Sequence, residues 1–353
     1  MNAPTPAPPA PAFVFHRGAL GDSILLWPLL RSLVASHGRA AFVTDGSKAR
    51  LAARFIPGVD PIDAEQPRFN ALFSSSPNPA HDFRPIECSR LLCFLFGADD
   101  ETARTWESNA HAMFPGASIE LIHERPDALF ARRMAPDHLF HAAPTNNDAQ
   151  SRPMPSSDAA EQRAMVARPK AHPGGVAAGS GKSQQLPWWS GADAPDSSLA
   201  PSSRVSFGDR YGPIIIHIGA GSHLKRWPLD AWRRIEQLVT TSELLFIAGE
   251  AEADAIAACK WAPQTAQRGW AVIDSLDELA SELVDARAFV GFDTGPTHLA
   301  AQLGLPTLAL FGPTDPHRWS PIGSLVRILA PAKPTPDMSW LSPGVVARAI
   351  ADL

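Results

Sequence analysis

The second half of this 353-residue chain alternates strand and helix patterns with almost no interruption, and that alternation limits the fold more than any other feature. Short apolar runs at Ile214–Ile218, Leu244–Ala248, Ala271–Ile273, Ala288–Gly291 and Thr307–Phe311 read as buried strands. Between them lie amphipathic stretches at Leu229–Thr240, Ala251–Trp261, Leu276–Ala286 and Thr294–Leu303. Apolar strands separated by helices of about ten residues cannot pair as hairpins. They require crossover connections, and so a doubly wound parallel sheet.

The first half begins the same way. Phe13-Val14-Phe15-His16 reads as a strand, Gly18 to Asp22 as a glycine turn, and Ser23–Ala35 as a helix with leucines at helical spacing. A second strand at 40–43 leads into a helix ending near Phe55, completing a βαβ start. Further strands are expected at Arg90–Phe96 and Ser118–Ile122, with a helix near 103–112 between them. From about residue 142 the chain turns rich in Pro, Ser, Ala and Gly, a composition for an insertion or linker rather than a packed layer. The tandem tryptophans Trp188 and Trp189 within it are expected to dock on a domain surface. The expected organisation is a Pro/Ala-rich arm at 1–12, an N-terminal Rossmann-like domain at 13–141 and an insertion or linker at 142–210. A C-terminal Rossmann-like domain at 211–342 and a last helix at 343–353, reaching toward the first half, complete it. A chain of this length exceeds the size at which single cores stop growing, so two domains fit.

Composition excludes several function classes. The net charge of -5 lacks the basic excess of a nucleic-acid binder. Three scattered cysteines, Cys88, Cys93 and Cys259, form no CxxC pair, which argues for reduced thiols and against a zinc knuckle or disulfide framework. The N-terminus has neither the basic nor the apolar region of a signal peptide. No apolar run reaches bilayer length, so a cytoplasmic protein is expected, peripheral to the inner membrane where a lipid-linked acceptor would sit.

Four motifs fall at strand ends. Gly18-Ala19-Leu20-Gly21-Asp22 opens a helix, and Asp22 reads either as a carboxylate complementing the helix dipole or as a general base facing a cleft. This turn is not GxGxxG and has no distal acid, which counts against a nicotinamide-dependent oxidoreductase. His217 to Pro228 runs through a small-residue loop, Gly219-Ala220-Gly221-Ser222, to Lys225 and Arg226. It reads as a diphosphate site or as an ordinary loop with solvated cations. In Asp293-Thr294-Gly295-Pro296-Thr297-His298 a strand gives way to a helix whose N–H groups at Thr294, Gly295 and Thr297 would face an anion. Asp293 there could accept from sugar hydroxyls, and His298 is either a core histidine or part of the site. Phe311 to Pro316 is a turn on the same sheet edge. After Ala248, Glu250 or Glu252 could hold a ribose or could simply start a helix.

At these residues the chain resembles glycosyltransferase family 9, the heptosyltransferases. The match runs through Leu20-Gly21-Asp22, through His217, Gly219, Ala220, Lys225, Trp227 and Pro228, through Asp293 to Ala301, and through Phe311 to Pro316. It departs at Ile218, where the family has proline. The resemblance implies an α/β fold of GT-B architecture, two Rossmann-like domains facing an interdomain cleft. It implies inverting, metal-independent transfer of a heptose or related sugar from an ADP-sugar, which is a substrate and not a cofactor, to a lipopolysaccharide-type or other glycan acceptor. On that basis Asp22 is the expected catalytic base. Gly219, Ala220, Gly221, Ser222, Lys225, Thr294, Gly295 and His298 would bind the donor phosphates, and Glu252, or Glu250, with Asp293 would hold ribose and sugar. No metal site, no cofactor and no nucleic-acid partner are expected, and a monomer is. The alternatives of the same fold are a non-catalytic nucleotide-sugar-binding protein and a sugar-nucleotide epimerase.

Overall fold

A computed structural model describes residues 10–77, 84–95, 100–122, 139–141, 212–240, 242–258, 263 and 270–353. Trp188, Trp189, Cys259 and the whole of the proposed insertion at 142–210 lie outside the described residues. The first half contains β1 (Ala12–His16), α1 (Leu20–Leu25), α2 (Trp27–His37), β2 (Ala40–Thr44), α3 (Gly46–Phe55), β3 (Val59–Asp63), a short α4 (Pro67–Asn70), β4 (Arg90–Phe94), α5 (Asp100–Met113) and β5 (Ser118–Ile122). These strands form one parallel sheet in the order β3-β2-β1-β4-β5.

The next strand, β6 (Leu139–His141), is followed by β7 (Ile214–His217), α6 (Leu229–Leu238), β8 (Leu244–Gly249), α7 (Ala253–Ala258), β9 (Trp270–Ile273), α8 (Leu276–Asp285), β10 (Ala288–Phe292), α9 (Gly295–Gln302), β11 (Thr307–Leu310), α10 (Pro316–Trp319), β12 (Val326–Ala330) and α11 (Pro343–Ala351). They make a second parallel sheet, β6-β12-β11-β10-β7-β8-β9. In both sheets the central strands are buried on both faces, which is why they read as continuous apolar runs without alternation.

Three local expectations are corrected. The single helix expected over Ser23–Ala35 is two, split at Leu26, because Pro28 has no N–H for the carbonyl of Ile24 and begins a new helix instead. Leu139–His141 does not end the first half's sheet; it pairs with β12 at the edge of the second. The last helix packs against the second half. Its Val346 and Ile350 pack with Trp232 and Ile235 of α6, in the core beneath the second sheet's outer face.

The two halves share a core. One continuous apolar cluster takes Val14, Phe42 and Leu92 from the first sheet, Ile24, Leu30 and Leu51 from α1 to α3, Leu279, Leu283 and Leu299 from α8 and α9, and Ile215 and Phe289 from the second sheet. At its rim Leu20 of α1 lies so close to Gly295 of α9 that a Cβ there would come within 2.7 Å of Leu20 Cδ2. Polar ties flank it. Arg31 donates to Gln302 Oε1 at 2.6 Å, and Arg54 donates to the Asp277 carbonyl and the Ser281 hydroxyl, each at 3.3 Å.

Candidate active site

Because every strand is parallel, the carboxyl ends of each sheet share one edge, and the loops and helix N-termini that follow gather there. The structure brings β1's turn, β7's loop and β10's helix together across the seam.

In the first half, Asp22 lies half-buried in the first turn of α1. The turn before it is tied from two sides: Lys48 of α3 donates to the Gly18 carbonyl at 2.9 Å, and Arg17 pairs with Glu65. Gly21, beside Asp22, abuts the second half, where His298 Cδ2 lies 3.4 Å from the point a Cβ on Gly21 would occupy.

In the second half, Gly219 and Ala220 are buried, Gly221 is exposed and Ser222 caps a 3₁₀ turn over His223–Lys225, its hydroxyl oxygen accepting from Leu224 N–H at 3.3 Å. The turn carries Lys225 over β10. Lys225 Nζ donates to Asp293 Oδ2 at 2.8 Å and to the Asp293 carbonyl at 3.2 Å. His298 Nε2 sits 3.5 Å from Asp293 Oδ1, and His298 Nδ1 is buried with no partner among the described residues. Burial pushes the Asp293 carboxyl upward, but the hydrogen bond and charge of His298, with those of Lys225, outweigh it and hold the group below its ordinary value. Asp293 is therefore an anion gripped on two sides. The His298 ring is 3% exposed and at the same time touches the Asp293 carboxylate.

Thr294 is the N-cap of α9, and its hydroxyl donates to the Phe292 carbonyl at 3.3 Å. One expectation fails here. The Thr297 N–H donates to the Thr294 carbonyl at 3.1 Å and is not open to an anion, which leaves the amides of Thr294 and Gly295 ahead of that turn. Arg226 also differs from a phosphate cation: it donates to the Ala220 carbonyl at 3.1 Å and pairs with Glu252 Oε1 at 3.1 Å, bracing the loop. Of the two candidate ribose acids, Glu252 is buried, with Oε2 over Gly219, whereas Glu250 is exposed. Asp315 caps α10 by accepting from His317 N–H at 2.9 Å, so the Phe311 to Pro316 stretch is a turn, as its composition suggests.

Between the halves lies a cavity of about 370 Å³, with Leu20, Ser47 and Arg50 on one wall and His217, Gly249 and Ser275 on the other. Ser47, Arg50 and His217 were not singled out from sequence as ligand-facing. The usable signal was position, since α3 and β7 both end or begin at the ligand edge. Burial pushes His217 down to about 4, so its ring is neutral near physiological pH. The two described cysteines, Cys88 and Cys93, are free and buried in the first half's core, and burial pushes the Cys88 thiol up to about 11. Among the described residues no group of three or more His, Cys, Asp or Glu side chains could hold a metal ion.

Comparison with known proteins places this arrangement. Residues 177–342 match the model of glycosyltransferase family 9 (heptosyltransferase). Lipopolysaccharide heptosyltransferase 1 of Pseudomonas aeruginosa is 60% identical over 42 residues, 12% of each chain. The protein of that name from Salmonella typhimurium is 35% identical over 101 residues, 26% of this chain and 29% of that one. The aligned stretches thus span less than a third of these relatives. Among solved structures, E. coli heptosyltransferase WaaC with ADP superposes with a TM-score of 0.54 at 17% identity, covering 97% of this chain and 99% of that one. A family 9 glycosyl transferase from Veillonella parvula gives 0.56 at 15% identity, covering 97% and 96%. The likeness is one of fold, the α/β GT-B architecture of two Rossmann-like domains. Over residues 177–342, just under half of its length, the chain is similar to glycosyltransferase family 9, the heptosyltransferases.

Proposed function

We propose that the protein is an inverting, metal-independent glycosyltransferase that moves a heptose from an ADP-sugar to a lipopolysaccharide-type acceptor. The observation that carries this reading is that Gly21, next to Asp22 in one half, lies against His298 of the Lys225–Asp293–His298 cluster in the other. A transferase of this kind needs a base on one face of the sugar ring and stabilisation of a leaving diphosphate on the other.

Each role follows from chemistry. Asp22 takes the proton from the acceptor hydroxyl as it attacks the anomeric carbon. Displacement from the face opposite the leaving group inverts the centre, by the logic of inverting hydrolases. Charge developing on the departing ADP is met by Lys225, by the backbone of Gly219, Ala220, Gly221 and Ser222, and by the Thr294 and Gly295 amides at the positive end of α9, with His298 fixing the cluster. Those groups take the place a divalent cation fills in other transferases. Glu252 accepts from the ribose hydroxyls, and Asp293 from the donor sugar. Before the donor arrives, Lys225 rests on Asp293 and keeps that buried carboxylate paired.

The relatives that act on lipopolysaccharide support a glycolipid acceptor, which would be met at the cytoplasmic surface of the inner membrane. No helix among the described residues is long and apolar enough to cross it. The donor half of the proposal is tested by calorimetric titration with ADP, UDP, GDP and NAD in the absence of metal. ADP is expected to bind, with affinity about 10- to 100-fold weaker in Lys225→Ala. Preference for UDP or GDP would overturn the ADP-sugar donor, and binding of NAD alone would overturn the transferase pocket.

A further inference from the structure

His16 ends β1 directly beneath the turn that carries Asp22, and it is wholly buried. Its Nδ1 accepts from the Gly18 N–H at 3.4 Å and lies 3.1 Å from Ser23 Oγ. A backbone N–H can only donate, so Nδ1 is the lone-pair nitrogen, and the Ser23 hydroxyl must donate to it as well. Gly18 and Ser23 stand on either side of Asp22. One ring nitrogen therefore grips both ends of the segment that bears the carboxylate.

Gly18 is where the ring and the carboxylate converge. A Cβ there would lie 2.4 Å from His16 Nε2 and 3.3 Å from Asp22 Oδ2. The glycine leaves room for the imidazole below and lets Asp22 fold back over the turn. Lys48 closes the arrangement from the far side through the Gly18 carbonyl. Burial, and secondarily the Lys48 charge, lower the His16 pKa to about 3, so the accepting nitrogen stays unprotonated near neutral pH.

We propose that His16 is a positioning residue for the transfer reaction, stapling Gly18 and Ser23 through Nδ1 so that Asp22 is held in one orientation at the cleft. The inference rests on the reading of Asp22 as the base. Its role is specific to one atom, which makes it separable from mere filling of the core. In His16→Asn the side-chain oxygen reaches the Nδ1 position, whereas in His16→Gln the polar group reaches the Nε2 position and leaves Gly18 and Ser23 without their acceptor.

The experiment compares transfer rate and ADP affinity in wild type, His16→Asn, His16→Gln and Asp22→Asn. His16→Gln is expected to lose roughly tenfold or more in rate with ADP affinity within about twofold, because a small misplacement of a reacting group is costly. His16→Asn is expected to recover most of that rate. Equal losses in His16→Asn and His16→Gln overturn the staple and leave a packing role. Wild-type rate in His16→Gln, with Asp22→Asn inactive, overturns positioning while keeping the base. Full rate in Asp22→Asn removes the base and the inference with it. A measurement that needs no variant stands beside these. Nitrogen NMR of ¹⁵N-histidine-labelled wild type near neutral pH should show His16 as a neutral ring protonated at Nε2 only. A ring protonated at Nδ1 overturns the proposal.

Discussion

At the scale of single residues, buried polar groups are the ones with the largest consequences, because each must find a partner or give up solvation. Asp293 meets this with two partners, and Asp293→Asn should loosen Lys225 and leave His298 without its anion. Nucleotide affinity should fall, as a titration would show. His16 and His217 carry a pH signature. Both have an unfolded value of 6.5 and folded values lowered to about 3 and about 4. Below 6.5 the unfolded chain takes up protons that the folded rings refuse, so stability is complete above that pH and is lost as pH falls toward 4. Each histidine contributes a slope on the order of 1.4 kcal/mol per pH unit in that window. Urea melts between neutral and mildly acidic pH should show it, and His16→Asn should remove about half of it. A flat stability profile would contradict the buried, neutral rings.

At the scale of elements, caps and close contacts decide where helices start and how the halves meet. The Ser275 hydroxyl oxygen accepts from Glu278 N–H at 3.1 Å, and Glu278 Oε2 accepts from Asp274 N–H at 3.2 Å, reciprocal capping that begins α8 at the cavity wall. Ser275→Ala should cost about 1 kcal/mol in a denaturant melt. Gly295→Ala should cost more, about 1–3 kcal/mol, because the new methyl meets Leu20. Leu20→Ala in the same chain should restore part of that loss, and additive losses would contradict the contact. The strands and helices of the second half were legible because burial on both faces writes apolar runs, and helices between them write a 3.6-residue period. What stayed hidden has physical causes. Val59–Asp63 is an edge strand holding Pro61 and two aspartates, a pattern tolerated only where one side of the ladder is free. Leu139–His141 is too short to register, and its partner β12 lies far along the chain. In the candidate site the motifs marked Asp22, Lys225, Asp293 and His298. Pairings between distant residues, such as Lys48 with Gly18 or Arg226 with Glu252, leave no periodic trace and emerge only in three dimensions.

At the scale of the whole molecule, the shared core makes the cleft a product of both halves rather than of either sheet alone. Across the seam α1 packs on α9 and α3 on α8, and this seats the turn of Asp22 against the helix that begins with Thr294 and Gly295. The proposed transfer needs its base and its leaving-group site to meet, and this seam is where Gly21, next to Asp22, lies against His298. The most direct test is transfer itself. Purified protein, with ADP-heptose and a heptose-deficient lipopolysaccharide acceptor in excess chelator, should release ADP and form a product of inverted anomeric configuration. Asp22→Asn should bind ADP as wild type does yet lose at least about 100-fold in rate. Absence of transfer from wild type, dependence on added metal, or undiminished turnover in Asp22→Asn would contradict the account.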